Sequence, residues 1–257
     1  MITILQKCLV KQVHLCTSGS PLGKLVDPQT PPIVWFGGLF LPSSNFTEKR
    51  SDKEIILTVG ANPSWREFHD KQGSWTLLTG SKQRLPLLPN TNNVLMQGFN
   101  DYFKINPFVR WFGRASRVEA FLNGMGASYY GGYKYQAIHI DLFPFSTCEN
   151  YTSIVPIVNR SLMLTGWAPA IFRNIVYFIK PVRIVVFGKS NYDALRRYMD
   201  PALPVQMSIP SPIPHCNNRY VNKVKLWGMY DLVGLSCNLG NPIGLTSANL
   251  KLWGSMV

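Results

Sequence analysis

Three short stretches of this chain carry side chains whose types and spacing can do chemistry. In ILTVGANPSW, Ile56 to Trp65, an apolar run ends on Gly60, Ala61, Asn62, Pro63 and Ser64. Gly60 permits a close backbone approach and Pro63 stiffens the turn. Asn62 between them presents an amide that both donates and accepts, which suits holding a water or reading the edge of a heterocyclic base. Taken alone, Asn-Pro-Ser after a strand is also an ordinary turn. In IHIDLFPFST a second run ends on Asp141, with His139 two residues earlier on the same strand face. A helix cap or salt bridge is the plain use of Asp141, and a satisfied core imidazole that of His139. In SIPSPIPH, Pro210, Ser211 and Pro212 form a stiff loop with His215 close behind, or simply a proline-rich connection.

A fourth stretch, VVFGKSN, contains the Gly-Lys-Ser that ends a phosphate-binding loop, but Arg183 stands where that loop needs its first Gly. Lys189 and Ser190 then belong to a strand-to-helix turn whose amides suit a single phosphate at most. No Gly-x-Gly-x-x-Gly follows a strand, so a dinucleotide enzyme is disfavoured.

The elements that must position these groups alternate. Four apolar runs have strand length: Glu54 to Val59, Gln136 to Leu142, Arg183 to Phe187 and Pro204 to Ile209. Between them NVLMQGFNDYF, SRVEAFLNGM, IVPIVNRSLMLTGWAPAIFRNIVYFI before Pro181, and NYDALRRYM after Ser190 as N-cap have helical spacing. This predicts a three-layer α/β/α fold around a short, mainly parallel, four-stranded sheet, with ligands outside the carboxyl ends of the strands. Residues 1–53, rich after residue 17 in Pro, Ser, Gly and charge, read as an irregular N-terminal extension packed on the core. Residues 54–257 read as the functional domain.

Composition narrows the partner. Among 257 residues, 46% apolar, 26 Lys and Arg oppose 13 Asp and Glu, a formal charge of +13. The basic residues are scattered, which favours a polyanionic partner. Cys8, Cys16, Cys148, Cys216 and Cys237 show no metal-ligand spacing, so neither a metal nor a cofactor is expected, and a reduced, intracellular setting fits. No run approaches the roughly 18 apolar residues of a membrane span. The opening MITILQKCLVKQ, broken by Lys7 and Lys11, is unlike a secretory signal.

In their order, strand then Gly-x-Asn-Pro, a mid-chain strand ending in a polar residue and Pro, and a Pro-Ser-Pro loop after the last strand, these motifs resemble the uracil-DNA glycosylase superfamily. The likeness is to its thymine-DNA, mismatch-specific and single-strand-selective branches, whose first motif carries Asn. It runs from Glu54 to Lys225 and rests on three short motifs. The resemblance implies an enzyme that flips a nucleotide out of DNA and cuts the base–sugar bond through an oxocarbenium-like transition state, with water attacking the anomeric carbon. Asn62 would position the water, Pro63 and Ser64 would shape the pocket floor beside Gly60 and Ala61, Trp65 or Phe68 would stack on the base, and His139 would line the pocket. An amide is a poor base, so most of the catalysis must come from holding the leaving base as it gains negative charge.

The second motif departs from the uracil-specific pattern. Asp141 stands where those members place an Asn that satisfies both a carbonyl and a ring N–H of uracil. An ionised carboxylate only accepts hydrogen bonds, so it opposes a uracil carbonyl and suits the exocyclic amino group of cytosine. A site built on one such pairing rejects its analogue by roughly 10⁴-fold. Asp141 therefore points to a cytosine, and because excision of unmodified cytosine would destroy host DNA, to a modified cytosine such as those of viral DNA, in an anti-phage role. Uracil or mismatched-thymine repair is the alternative within the family.

The third motif departs as well. Many members carry a His that stabilises the departing base anion, and here that position is Ile209, which leaves His215 as a substitute if the loop folds back. Pro210, Ser211 and Pro212 would compress the DNA backbone, and Arg219, Lys223 and Lys225 are spaced to share a helical face toward phosphates. The expectation is a monomeric, monofunctional DNA glycosylase. A DNA-binding protein that kept the fold and lost catalysis is the alternative from another class, argued by Ile209.

Overall fold

The computed structural model describes residues 1–41, 46, 49, 52–70, 76–85, 92–148, 161, 163–204, 209–210, 220–237, 239 and 245–257. In chain order the elements are α1 (Ile2–Thr17), α2 (Pro21–Leu25), β1 (Ile55–Gly60), α3 (Trp65–Phe68), β2 (His69–Asp70), β3 (Thr76–Leu77) and α4 (Asn92–Ile105). There follow α5 (Val109–Phe112), α6 (Arg117–Gly124), β4 (Ala127–Ser128), β5 (Tyr135–Asp141), α7 (Trp167–Ile179), β6 (Arg183–Phe187), α8 (Lys189–Tyr198), β7 (Ile209–Pro210), β8 (Tyr220–Leu226), β9 (Tyr230–Leu235) and α9 (Ser247–Ser255). The contacts divide the chain into two compact units: Met1–Arg50 with Ala61–Asn106 and Ile140–Phe178, and Ser51–Gly60 with Pro107–His139 and Ile179–Val257.

The first unit corrects the reading of residues 1–53 as irregular. Leu5, Cys8, Gln12 and Leu15 form the buried stripe of α1 at helical spacing. Ser20 caps α2 by accepting from the Gly23 amide at 3.0 Å, with Pro21 in the first turn. A Cβ on Gly23 would lie 2.0 Å from the Leu15 carbonyl oxygen, so glycine is what lets α2 lie against α1. Downstream, Trp35, Phe36 and Phe40 supply core rather than surface. Trp35 meets Phe40 and Phe99 edge-on at 5.5 and 5.3 Å, and Phe36 stacks on Tyr102 of α4 at 3.8 Å.

The second unit is built on the sheet, ordered β4-β5-β1-β6-β9-β8-β7. Pairing is parallel for β4–β5, β1–β6 and β6–β9, and antiparallel for β9–β8 and β8–β7. The fold is thus α/β with a mostly parallel central sheet, as the alternation of elements predicts, but with seven strands instead of four. β1 and β6 bury nearly every residue, the pattern of strands covered on both faces. The unforeseen addition is the β8–β9 hairpin, in register from Val221↔Leu235 to Leu226↔Tyr230. It places Lys223 and Lys225 on a strand, so they share no helical face. Of the stretch Pro204 to Ile209, only its end falls in a described strand, β7, and residues 205–208 lie outside the description.

Helix starts follow their caps. Ser116 Oγ accepts from the Glu119 amide at 3.1 Å to begin α6. α8 begins two residues earlier than expected, with Gly188 at φ +91° as N-cap in place of Ser190.

Candidate functional site

Most of the motif residues fall in the first unit. The turn after β1 and the end of β5 run side by side there, because the Phe143 amide donates to the Ala61 carbonyl at 3.0 Å. Thr147, further along, bridges to Ser64 in parallel and to Val26 in antiparallel fashion. Asn62 Nδ2 donates to Thr147 Oγ1 at 2.9 Å and to the Pro63 carbonyl at 3.0 Å. The Pro63 carbonyl can only accept, which fixes the amide orientation. Both amide hydrogens are thereby used, and Oδ1 is left as the atom that can accept from a water.

Asp141 ends β5 at 7% exposure, and its charge reaches Glu67, a residue the sequence motifs do not include. Glu67, on α3 at 4% exposure, accepts a short hydrogen bond from the Tyr102 hydroxyl. Burial pushes its carboxyl up to about 8, the Tyr102 bond opposes this, and Asp141 adds to the rise. At neutral pH Glu67 therefore holds its proton in this interior.

Trp65 and Phe68, the two candidate stacking rings, face different spaces. Trp65 lines a pocket of about 170 Å³ together with Asp27, Pro28, Gln29, His69 and Cys148. Phe68 lines a void of about 20 Å³ with Leu77, Leu78, Arg84 and Leu85 among others, too small for a base. In the Trp65 pocket His69 Nε2 meets Asp27 Oδ2 at 2.6 Å, and Thr30 Oγ1 donates to the same oxygen at 2.5 Å. Gln12 Nε2 holds the backbone of this corner through the carbonyls of Asp27 and Thr30, at 2.8 and 2.7 Å. No local sequence pattern marks this group: Glu67 follows Arg66 and Asp27 stands in a Pro-rich stretch, and only burial and their partners single them out.

The second unit holds Gly60, His139, Lys189, Ser190 and Lys223. His139 Nδ1 lies 2.9 Å from Thr58 Oγ1, which is also 2.6 Å from the Tyr129 hydroxyl, and the imidazole packs edge-on against Phe112 at 4.8 Å. It is the core imidazole of the plainer reading. Lys189 offers less to a phosphate than its turn suggested: its amide donates to the Ser236 carbonyl at 3.1 Å and its ammonium pairs with Asp193 at 2.5 Å. Ser190 is exposed beside it. Lys223 Nζ donates to the Met256 carbonyl at 2.6 Å, and Lys225 pairs with Asp231 at 2.6 Å.

Ser211, Pro212, His215 and Arg219 lie outside the described residues, as do the side chains of Ile209 and Pro210. Among the described residues no group of three or more His, Cys, Asp or Glu is placed to hold a metal ion, and no helix is long and apolar enough to cross a membrane. Cys8, Cys16, Cys148 and Cys237 form no disulfide. No family model matches the chain, and no curated protein matches it at a significant level.

Proposed function

We propose that the chain is a monofunctional DNA glycosylase of the uracil-DNA glycosylase type, acting as a monomer in a reduced intracellular setting on a flipped pyrimidine, with a modified cytosine of foreign DNA as the base that Asp141 suits. The observation that carries this reading is the fixed amide of Asn62, tied by Thr147 and Pro63 so that Oδ1 alone is left for a water. A water donating to Oδ1 keeps a lone pair for the anomeric carbon. The amide need not take its proton in the rate-limiting step, because an oxocarbenium-like carbon is a strong electrophile.

Two further features support the reading. Asp141 lies at the end of the strand beside that turn and is buried, so a carboxylate there meets a ligand as an acceptor. The charge of +13 supplies the non-specific attraction to phosphate that lets such an enzyme search DNA.

The test is formation of alkali-labile abasic sites in labelled oligonucleotides containing uracil, mismatched thymine, cytosine, hydroxymethylcytosine or glucosylated hydroxymethylcytosine. Breaks confined to a cytosine derivative support the reading. Breaks at uracil keep the family and remove the specificity argument. Binding without breaks favours a DNA-binding protein that has lost catalysis.

A further inference from the structure

The second unit carries a basic and aromatic surface that the Asn62 turn, which belongs to the first unit, does not use. From Pro107 to Tyr133 the chain holds Arg110, Arg114 and Arg117 against a single acid, Glu119. That acid does not offset them at the surface. Glu119 is 3% exposed, and its carboxyl group accepts from the Ser128 hydroxyl and, at 3.3 Å, from the Tyr129 amide. Burial pushes its carboxyl above the ordinary range. Arg110 and Arg114 are exposed and Arg117 is half-buried. Arg110 and Arg117 form no ion pair among the described residues. Trp111, between Arg110 and Phe112, is half-buried, and its ring stacks on no other described ring.

Phe112 ties this segment to the loop after β4. The Tyr130 hydroxyl donates to the Phe112 carbonyl, and the Phe112 ring meets Tyr129 edge-on at 5.7 Å. The Arg114 guanidinium lies over the half-buried Tyr130 ring, 4.2 Å from its centre. Gly131 and Gly132 follow at φ +83° and +80°, and a Cβ on either would meet nothing within 4 Å. The backbone of that loop is therefore bare to an incoming chain.

Arginines alone suit any polyanion, whereas arginines interleaved with partly open rings suit one that also offers flat faces. Duplex DNA keeps its bases stacked and presents chiefly phosphates to such a surface, which leaves Trp111 and Tyr130 without a use. A single strand offers phosphates and unstacked bases together. We infer that Arg110, Trp111, Arg114, Arg117 and Tyr130 form a binding surface for single-stranded nucleic acid. Arg110 and Arg117 hold its phosphates, and its bases stack on Trp111 and on the Arg114–Tyr130 pair. The inference goes beyond the glycosylase reading and does not need it, because no bond is cut at this surface.

The experiment is fluorescence anisotropy of a labelled thymidine oligonucleotide of about 12 nucleotides, within the span of single-strand sites. The full chain is compared as wild type, Trp111→Ala, Trp111→Leu and the double variant Arg110→Gln/Arg117→Gln, over a series of salt concentrations. Wild type should bind the single strand more tightly than the same oligonucleotide paired with its complement. Trp111→Ala should weaken binding of the single strand by about tenfold or more. Trp111→Leu fills the space without a ring and should lose as much, which preserves the test if the alanine variant does not fold. Removing the two arginines should flatten the dependence of log K on log salt by about 0.7 for each. A folded Trp111 variant within about twofold of wild type, an unchanged salt slope in the arginine variant, or tighter binding of the duplex overturns the inference. Base release by a protein whose Trp111 variants bind like wild type would overturn this surface and leave the glycosylase reading standing. The predicted losses in a protein that releases no base from any oligonucleotide would do the reverse.

Discussion

Asn62 and Thr147 are joined by a 2.9 Å hydrogen bond between Nδ2 and Oγ1, across 85 residues of sequence. Thr147 is fully buried and bridged to two other segments, so the amide is held by a rigid neighbour. Removing the amide and removing its support should therefore differ in kind. Asn62→Ala is expected to abolish base release while leaving DNA binding largely intact. Thr147→Val, which keeps the shape and frees the amide to turn, is expected to lower kcat about tenfold or more with little change in KM. Equal loss of binding and cleavage in Asn62→Ala, measured by filter binding and alkaline cleavage, would make Asn62 a folding residue.

Glu67 makes stability depend on pH. Its folded-state value of about 8 lies above the ordinary 4.5, so between these the folded protein keeps a proton that the unfolded chain has lost. Its stabilising contribution is fully present below pH 4.5 and is lost as pH rises through 8, with a slope of up to one proton. Glu67→Gln, neutral and nearly isosteric, should remove that slope and narrow the difference between pH 5 and pH 8 in urea unfolding. An unchanged pH dependence in the variant would contradict a protonated Glu67.

The Asp27–His69 pair should be costly to break from one side. Asp27→Ala leaves the buried Nε2 of His69 and the Thr30 hydroxyl without their acceptor and is expected to destabilise the fold by about 1–3 kcal/mol. A loss below about 1 kcal/mol by chemical denaturation would mean that the pair is weakly coupled to folding.

Two glycines set a helix contact in the second unit. A Cβ on Gly254 of α9 would lie 2.0 Å from the Phe121 carbonyl oxygen of α6, and one on Gly124 would lie 2.0 Å from that of Lys251. Backbone cannot yield as a side-chain tip can. Gly254→Ala should cost about 1–3 kcal/mol or more, read as a lowered Tm. An unchanged Tm would show that the helices can part without loss.

The strands that position the site were legible because they are buried on both faces: the run Arg183 to Phe187 coincides with β6, and that ending at Val59 stops one residue short of the end of β1. The hairpin β8–β9 was not, since Asn222, Lys223 and Lys225 interrupt its apolar residues and it closes through Trp227 at φ +51°. α1 hid for a related reason: its buried stripe includes Gln12, an amide whose partners, the carbonyls of Asp27 and Thr30, lie far along the chain. Asn62 and Asp141 stood out because each interrupts an apolar run at a strand end. Glu67 and His69 did not, because what marks them is burial and the company of Tyr102 and Asp27, which no local pattern displays.

Asp141 carries the specificity argument, and one variant tests it. Asp141→Asn restores an amide that both donates and accepts, and it is expected to move base preference from a cytosine derivative toward uracil. An unchanged preference would return Asp141 to a structural role.

The measurement closest to the central claim is alkaline cleavage of a single labelled oligonucleotide carrying one modified cytosine, incubated with wild type and with Asn62→Ala side by side. Strand breaks at that cytosine with wild type alone are the predicted result. Breaks of equal yield with both proteins, or with neither while DNA stays bound, would contradict the assignment of Asn62 as the group that holds the attacking water.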